Sequence, residues 1–337
     1  MRFLVLSIVQ LISVCVADVP SWDSWPHQRI RVNKDVSIHL RYYGTGPPVL
    51  LIHGNPQHSL SYSTIAPILA QNYTVITTDN RGAGDSSIPA DDDYTASTHA
   101  DDFKAILDFL HINETYVFSH DKGSGIAAAL AAKYPSYVKR IGFSEYAFPG
   151  FGYENFWTPS SGGGTGWDLY KNWQLGFFSV PDAAQYFIQG REKEMLAWYF
   201  WHSSYSGNEA ISEDHLTRYA TSISKPGFLR SMLNIFSVST VTEDASFFNA
   251  SFSGNPLPMP VLALGGEASF APGSVLQQIF GPVSSDLQVD VVPKAGHWVL
   301  DESPVWVADR LLRFFGEDPD GISSVDLSYL TNQVTLV

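Results

Sequence analysis

Hydrophobic and polar positions along the chain alternate between the periods of strands and of helices. Residues 29–43 repeat with a period of two, which predicts paired strands, whereas "PVLLIH" (48–53) and "YTVITTD" (73–79) are short apolar runs typical of buried parallel strands. Helical patterns cover 61–71, 97–111 and 123–134. Strands that alternate with helices predict an α/β fold, a doubly wound and mostly parallel sheet with helices on both faces.

The alternation stops near residue 150 and resumes near 258 with the apolar run "PMPVLALGG". Three aromatic-rich stretches in between predict helices, and an insertion of helices above the strand ends would form a lid. We therefore expect a core over 18–150 and 251–316, with a helical cap over 151–250 inserted after strand six. The tail over 317–337 has no strong pattern, and we assign it no function.

The first seventeen residues predict a cleaved signal peptide. They contain one early arginine, an apolar run too short to span a membrane with its flanks, and Ala17 before Asp18. A buried N-terminal element and an uncleaved anchor are the alternatives. The only cysteine, Cys15, lies in this segment, so we expect no disulfide in the mature chain.

Three Asn-x-Ser/Thr sequons indicate where the chain would be glycosylated. They begin at Asn72, Asn113 and Asn249, each beside a predicted turn. Sequons often occur by chance, but three of them behind a signal peptide favour a secreted glycoprotein. The expected location is the extracellular space or the lumen of the secretory pathway.

Composition limits the class of partner. With 337 residues, 45% of them hydrophobic and 14% aromatic, the chain can bury a large core as one domain with an insertion. The net charge of −14 and the pI near 5.0 imply repulsion from nucleic acid and from anionic membranes. We expect a small-molecule substrate and no cofactor or metal, and the sequence leaves the oligomeric state open.

One turn has the pattern of a nucleophile elbow. In "VFSHDKGSG" (117–125) an apolar run ends at a cluster of small residues, with Ser119 and Gly123 placed two before and two after Asp121. A strand that breaks sharply into a helix needs small residues at those two positions. Asp121 is therefore a candidate nucleophile, with an ordinary loop aspartate as the alternative.

Two more chemical groups follow predicted strands. Glu145 comes after "RIGFS" and His297 after "VDVVPKAG". Functional groups of such sheets gather at the carboxyl ends of the strands, and the order nucleophile, acid, histidine is the one expected of an α/β-hydrolase. A carboxylate at the elbow can attack carbon without a base, because its ordinary pKa of about 3.9 leaves it ionised near neutral pH.

The chain resembles the epoxide hydrolase and dehalogenase branch of the α/β-hydrolases over roughly residues 28–315. The motifs that carry the resemblance are "HGNPQ" (53–57), "DNRGAGDSS" (79–87), "SHDKGSG" (119–125) and "GHWVLDESP" (296–304). The resemblance implies that Asp121 is the nucleophile and that His297 activates water. It also implies that backbone N–H groups of Asn55 and Lys122 form an oxyanion hole.

The residue that orients His297 has two candidates. Some members of the branch place the acid where this chain has Glu145, and others place an aspartate after the next strand. At that second place the chain has "GGEASFAP", with Ser269 aligned to the aspartate and Glu267 two residues earlier. We favour Glu145, and Glu267 remains the alternative acid.

The cap departs from the pattern of epoxide hydrolases, which hold the ring oxygen with two cap donors. The first position aligns with Trp173 or Gln174, and the second with Phe236, which cannot donate. A tyrosine elsewhere, such as Tyr170, Tyr199 or Tyr219, would then supply the proton. Alternatively, the enzyme acts on a different electrophile or has lost hydrolysis.

We predict an epoxide hydrolase-like enzyme acting on a bulky, apolar small molecule, such as a secondary metabolite. The aromatic cap favours an apolar pocket.

A dehalogenase on the same scaffold and a non-catalytic ligand-binding protein are the alternatives. Haloalkane dehalogenases resemble one another in having tryptophan at the position of Lys122. Haloacid substrates are disfavoured because the arginines of the fluoroacetate clamp correspond to Lys122 and Gly125.

Overall fold

A single sheet of eight strands organises the computed structural model, which describes residues 19–154 and 169–332. The predicted signal peptide (1–17) with Cys15, residues 155–168 of the predicted cap and the last five residues lie outside the described residues. The strands are β1 (His27–Arg31), β2 (Ser37–Tyr43), β3 (Pro48–Ile52), β4 (Thr74–Thr78), β5 (Thr115–His120), β6 (Val138–Ser144), β7 (Val261–Gly266) and β8 (Leu287–Val292).

The strand order is β1-β2-β4-β3-β5-β6-β7-β8. Strand β2 pairs antiparallel with β1 and β4, and all later neighbours are parallel. This arrangement confirms the predicted mostly parallel, doubly wound sheet. Its carboxyl edge brings together the ends of β5, β6 and β7, where the candidate groups lie.

Helices cover both faces of the sheet. Their bounds are α1 (Ile65–Leu69), α2 (Ala96–Phe109), α3 (Lys122–Lys133), α4 (Leu169–Phe178), α5 (Pro181–Ile188), α6 (Glu192–His202), α7 (Glu213–Ile223), α8 (Phe228–Asn234), α9 (Val238–Phe252), α10 (Gly273–Phe280), α11 (Val299–Glu302) and α12 (Pro304–Gly316). Short 3-10 turns cover Trp22–Ser24, Ser59–Tyr62, Pro135–Tyr137, Gly207–Glu209, Gly281–Val283 and Ser328–Asn332.

Strand β3 shows why the apolar runs are continuous. All five of its residues are buried, and successive side chains point to opposite faces of the sheet. Val49 and Leu51 belong to the apolar cluster that contains α1, α12 and much of the cap. Leu50 and Ile52 belong to the cluster that contains α2 and α3. Both faces of the sheet are therefore covered, as expected of parallel strands.

Helices α4 to α8 form the described part of the cap between β6 and β7, as predicted. Helix α9 also lies inside the predicted cap range, yet it packs on the core. Its Asp244 accepts a hydrogen bond from the N–H of Ala96 at 2.8 Å, and Phe248 packs against Phe148. The cap helices therefore end near Ser237, before the predicted bound of 250, because the inner face of α9 is apolar and contacts core residues.

The C-terminal tail packs on the first strands of the sheet. Val325 N–H donates to the carbonyl of Gly46 at 2.9 Å, and Leu327 and Leu330 are buried. Gln28 donates to the carbonyl of Leu330 at 2.9 Å. The described part of the tail thus covers the outer strands of the sheet. None of the helices in the described ranges is long and apolar enough to cross a membrane.

Candidate active site

Asp121 lies at a sharp turn between β5 and α3. Its φ of 49° and ψ of −132° are strained for a residue with a side chain, and such strain costs of order 1–3 kcal/mol. The turn is crowded. A Cβ added to Gly123 would lie 2.3 Å from the carbonyl oxygen of Ile52, and one added to Gly54 would lie 2.4 Å from the Cβ of Asp121. Glycine is therefore required at both positions, and the elbow pattern predicts the one at 123.

Strand register places Asp121 beside Glu145. Strands β5 and β6 are parallel with His120 opposite Ser144, and Asp121 N–H donates to the carbonyl of Ser144 at 2.9 Å. Glu145 also has a positive φ of 57°, so it turns away from the sheet at the same edge. The two carboxylates come to one site because each is the first residue after its strand.

His297 connects these two carboxylates. Its Nδ1 donates to Glu145 Oε2 at 3.0 Å, and its Nε2 lies 3.5 Å from Asp121 Oδ2. Because a carboxylate only accepts, Nδ1 must carry a proton, and in the neutral ring Nε2 has the free lone pair. Within the part of the chain that the structure describes, Nε2 has no hydrogen-bond partner. It is the ring atom that can take a proton from water.

The Glu145 carboxylate is held by three donors. Besides His297 Nδ1, Oε1 accepts from Gly266 N–H at 2.6 Å and Oε2 accepts from Ser269 Oγ at 2.5 Å. Ser269 stands where the family pattern has an aspartate, and here it anchors the acid from the neighbouring strand. Glu267, in contrast, is exposed and accepts from Lys294 N–H at 2.9 Å. Geometry therefore favours Glu145 over Glu267 as the partner of His297.

Electrostatics couple the His297 imidazole to its two carboxylates. Burial lowers the pKa of His297, but Asp121 and Glu145 outweigh burial and raise it to about 9. Burial raises the pKa of Asp121, but His297 and nearby N–H groups outweigh burial and lower it to about 2. In the resting site Asp121 is thus an anion beside a protonated His297.

Backbone N–H groups point at the Asp121 carboxylate. Asn55 N–H donates to Asp121 Oδ1 at 2.8 Å, and Lys122 N–H also donates to this carboxylate. The Asn55 side chain donates to the carbonyl of Met232 at 3.0 Å, so the loop after β3 is fixed to the cap. The two predicted oxyanion N–H groups therefore both act on the Asp121 carboxylate.

The "HGNP" and "DNRG" loops are tied to each other beneath this position. His53 Nε2 accepts from Asn80 N–H at 2.8 Å, and the Asn80 side chain donates to the carbonyl of His53 at 2.9 Å. Arg81 forms two hydrogen bonds of 2.7 Å with Asp102 in the interior. These residues hold the loops in place and do not contact Asp121.

One group of side chains has the spacing of metal ligands. Ligand atoms of His39, Asp79 and Asp85 lie within 4.8 Å of one another. Asp79 Oδ2 already accepts from His39 Nδ1 and from Asp85 N–H, each at 2.9 Å, and Asp85 pairs with Lys225 at 3.0 Å. The donor atoms are therefore engaged in the loop itself, which explains the group without an ion.

Known proteins share this architecture. A family model described as alpha/beta hydrolase fold matches residues 47–154. The soluble epoxide hydrolase of Corynebacterium sp. (strain C12) is 27% identical over 292 residues, which cover 86% of this chain and 96% of that enzyme. The haloalkane dehalogenase of Psychrobacter cryohalolentis is 32% identical over 140 residues, or 40% of this chain and 46% of that one. The solved structure of the epoxide hydrolase CorEH without ligand is 25% identical with a TM-score of 0.75, covering 86% of this chain and 98% of that chain.

The chain has the α/β-hydrolase fold, and over most of its length it is similar to enzymes of the epoxide hydrolase and dehalogenase branch. The resemblance inferred from its motifs is thereby confirmed.

Of the two residues aligned with the first cap donor, Gln174 is the one directed into the interior. Gln174 is buried and forms a hydrogen bond with the Tyr199 hydroxyl, while its Oε1 has no partner in the described parts of the chain. Trp173 is only half-buried and packs against Trp198 and Phe177, with ring centroids 4.9 and 5.4 Å away. Trp173 therefore contributes to cap packing.

Tyr199 is the tyrosine that the cap brings to the site. It is buried, burial raises its pKa, and the charge of Asp121 raises it further. Its ring packs edge-on against Trp298, next to His297, with centroids 5.4 Å apart. Tyr219 instead accepts from Gln57 at 3.3 Å. Tyr170 belongs to α4, but its side chain lies outside the described residues.

The second cap position holds an apolar ring, as predicted. Phe236 is buried and packs against Phe178 at 5.4 Å between centroids. On its other side lies the ammonium of Lys122, 4.9 Å from the ring centroid, which also donates to the Tyr153 hydroxyl at 3.2 Å. No sequence pattern singles out Tyr153, because it follows β6 in a loop without a motif.

Proposed function

We propose that this hydrolase is an epoxide hydrolase that forms and then hydrolyses an alkyl ester on Asp121. The observation that carries the proposal is the placement of His297 between two carboxylates, 3.5 Å from Asp121 and 3.0 Å from Glu145. Only one of these carboxylates, Asp121, is at an elbow under backbone N–H groups, so the two have different roles.

In the first step Asp121 attacks an electrophilic carbon. Its carboxylate is ionised at neutral pH because the protonated His297 holds its pKa at about 2, despite burial. No base is needed, since the attacking oxygen already carries a lone pair and a charge. The C–O bond of the ring breaks as the ester bond forms.

In the second step water attacks the ester. Ester formation removes the negative charge of Asp121, which is one cause of the raised pKa of His297. His297 then loses its proton more easily, and its Nε2 can accept one from water while Glu145 holds Nδ1–H. The oxyanion that develops on the ester carbonyl is stabilised by the N–H groups of Asn55 and Lys122.

Tyr199 is the cap residue that we assign as a donor to the released ring oxygen. Gln174 forms a hydrogen bond with its hydroxyl, and the charge of Asp121 acts on it, which supports a place on the nucleophile side of the cap. Phe236 cannot fill this role of donor, because its side chain has no N–H or O–H group. A hydroxyl in a dry site stabilises a developing alkoxide strongly because no water competes for it.

The substrate is a bulky, apolar small molecule. Tyr199 packs against the rings of Phe178 and Trp298, and Phe178 packs in turn against Phe236. Apolar walls with a few convergent polar groups are typical of small-molecule sites.

A dehalogenase is the second candidate, favoured by the local identity to the haloalkane dehalogenase. Both reactions begin with the same attack by Asp121, so the same scaffold serves either one. The leaving group distinguishes them, because an alkoxide needs a proton and a halide does not. The Tyr199 hydroxyl, which can donate to a released alkoxide, supports the epoxide as the substrate.

We also propose that the chain enters the secretory pathway, with cleavage near Asp18. Asn72, Asn113 and Asn249 are all exposed, although Asn249 lies in the last turns of α9 and not in a turn. Expression in a eukaryotic secretory host should yield a mature chain that loses mass on deglycosylation. A full-length, unglycosylated product retained in the cytosol would refute this proposal.

Isotope labelling tests the proposed chemistry. In a single turnover in ¹⁸O-water with excess enzyme, the diol should contain no label, because its new oxygen comes from the Asp121 carboxylate. The label should instead enter Asp121 and appear in the diol of later turnovers. Label in the diol of the first turnover would mean that water attacks the epoxide directly.

A further inference from the structure

The side chain of Lys122 occupies an unusual position for an ammonium group. Lys122 is the residue after Asp121, and its side chain is buried, with 4% of the residue exposed. Its Nζ donates to Tyr153 Oη at 3.2 Å and lies 4.4, 4.9 and 5.8 Å from the ring centroids of Tyr153, Phe236 and Tyr146. One hydroxyl and three aromatic rings therefore hold this cation.

No carboxylate is in contact with this cation. Among the described residues, none of the ion pairs within 4 Å includes Lys122; Asp121 and Asp244 act on it only through space. The groups that face it are thus these two carboxylates and the hydroxyls of Tyr146 and Tyr153. Burial outweighs both carboxylates and lowers the pKa of Lys122 to about 8. A buried ammonium without a contacting counter-charge holds its proton weakly.

The ammonium packs against a cap ring, Phe236, that is linked to Tyr199 through Phe178. Phe236 packs against Lys122 Nζ on one side and against Phe178 on the other, and Phe178 packs against Tyr199 at 5.9 Å between centroids. The charge of Asp121 acts on Tyr153 as well as on Tyr199. Tyr199 also acts on Tyr153 through space, so the hydroxyl that holds Lys122 Nζ lies near both Asp121 and Tyr199.

We propose that Lys122 is the second proton donor to the oxygen released from the substrate, in the place where Phe236 lacks a donor. This inference rests on the proposed epoxide hydrolase function. Nζ has three N–H groups, of which Tyr153 takes one, so others can reach a substrate atom. Tyr153 is a positioning residue that holds Nζ against the rings.

The proton balance of this step is closed. Asp121 forms a C–O bond to the ring carbon, the ring C–O bond breaks, and its electron pair goes to the ring oxygen. That oxygen takes a proton from Lys122 Nζ and becomes a hydroxyl, leaving a neutral amine. Once the ester has formed, His297 releases its resting proton to solvent and Lys122 regains one from solvent. The proton that His297 then takes from water restores its protonated resting form. A donor whose pKa lies near the working pH suits such a cycle.

The test measures ester formation alone, in protein that carries His297→Gln so that the ester accumulates. The rate of mass gain with a racemic aryl epoxide should fall as pH rises through about 8, because Lys122 loses its proton there. Lys122→Met in the same background should lower this rate on the order of 100-fold and remove the fall with pH. Tyr153→Phe should lower it less and shift the midpoint of the fall.

Lys133→Met is the matched control, since Lys133 lies at the other end of α3 and donates to the carbonyl of Ser97 at 3.0 Å. It should leave both the rate and its pH dependence unchanged. An ester-formation rate that stays flat between pH 6 and about 10 in protein containing Lys122 would overturn the inference, even if Lys122→Met failed to fold. So would a Lys122→Met rate equal to that of the control. Absence of any adduct with His297→Gln alone would refute the proposed function itself.

Discussion

His297 Nδ1 lies 3.0 Å from Glu145 Oε2, and the two residues are brought together from strands that are not neighbours, β6 and β8. Glu145 reaches across the end of β7, where Gly266 N–H and Ser269 Oγ bind the same carboxylate. This contact fixes the protonated nitrogen of His297 and directs Nε2 to Asp121. The second half of the proposed reaction depends on it.

Glu145→Gln should therefore slow hydrolysis of the ester far more than its formation. The amide cannot accept the Nδ1–H bond with a full charge, so His297 loses both its orientation and the stabilisation of its protonated form. We expect the decay of the ester to slow by about 10²–10⁴-fold. Rapid-quench measurements of the amount of ester over time would give this decay rate.

Glu267→Gln is the matched control for this change, because Glu267 is exposed and bound only to Lys294 N–H among the described contacts. Its ester should decay at the rate of the unmodified protein. A larger effect of Glu267→Gln than of Glu145→Gln would move the orienting acid to the loop after β7.

The two half-reactions should respond differently to pH. Asp121, with its pKa lowered to about 2, stays ionised in mild acid, so ester formation should persist at pH 5. Ester hydrolysis needs neutral His297, whose neutral fraction increases with pH. The hydrolysis rate should rise with pH, with a midpoint below the resting pKa of about 9, because the ester no longer has the Asp121 charge.

Pre-steady-state kinetics between pH 5 and about 9 would separate the two rates. At low pH the ester should accumulate in the unmodified protein. A hydrolysis rate that falls as pH rises would mean that the protonated form of His297 is the active one, contrary to its assigned role.

Tyr199→Phe should slow ester formation from epoxides. The change removes one hydroxyl and keeps the ring that packs against Trp298 and Phe178. We expect a loss on the order of 100-fold in the rate of ester formation, with ester hydrolysis unchanged, since the hydroxyl acts only on the released oxygen. Stopped-flow kinetics at saturating epoxide would measure both.

Tyr219→Phe serves as the control, because the Tyr219 hydroxyl meets Gln57 and not the nucleophile. If Tyr199→Phe formed the ester as fast as this control, Tyr199 would not be a donor.

The Arg81–Asp102 pair should be important for stability. Both side chains are almost fully buried, and the two hydrogen bonds are 2.7 Å long. Arg81→Met would leave the Asp102 carboxylate buried without its partner, and the free energy of unfolding should fall by about 3–5 kcal/mol. Urea unfolding followed by fluorescence would measure it.

Arg230→Met is the comparison, because Arg230 is exposed and pairs with Asp92 and Asp182 at 3.6 and 3.0 Å on the surface. This change should cost at most about 1 kcal/mol. An equal loss in the free energy of unfolding for the two variants would contradict the claim that the buried pair contributes more than the exposed one.

The elements that position Asp121, Glu145 and His297 could be predicted from sequence because each depends on local patterns. Buried parallel strands are short apolar runs, and the elbow needs small residues around Asp121. Asp121 and Glu145 directly follow β5 and β6, and His297 lies in the loop after β8. The register of β5 and β6 then brings Asp121 next to Glu145 without any further information. Geometry favours Glu145 over Glu267, since Glu145 is buried at the strand end and accepts from His297, whereas Glu267 is exposed.

The cap could not be predicted to the same depth. Trp173 and Gln174 are adjacent on α4, and a rotation of about 100° around the helix decides which one faces inward. That rotation depends on packing against α6, where Trp198 contacts Trp173, and not on the local sequence. Tyr153 and Lys122 meet Phe236 only after the cap closes over the elbow, so no pattern within one segment points to their contact.

The most direct test of the central claim is intact-protein mass spectrometry of the His297→Gln variant after incubation with epoxides and organohalides. Asp121 needs no base, so the variant should gain the whole mass of an epoxide and keep it, and the further change Asp121→Asn should abolish the adduct. An adduct short by one hydrogen halide would indicate dehalogenation instead. If no compound of a broad panel labels the variant, although calorimetry shows that the same compounds bind, Asp121 is not a nucleophile towards them, and the account of this site as a hydrolase that works through an ester is contradicted.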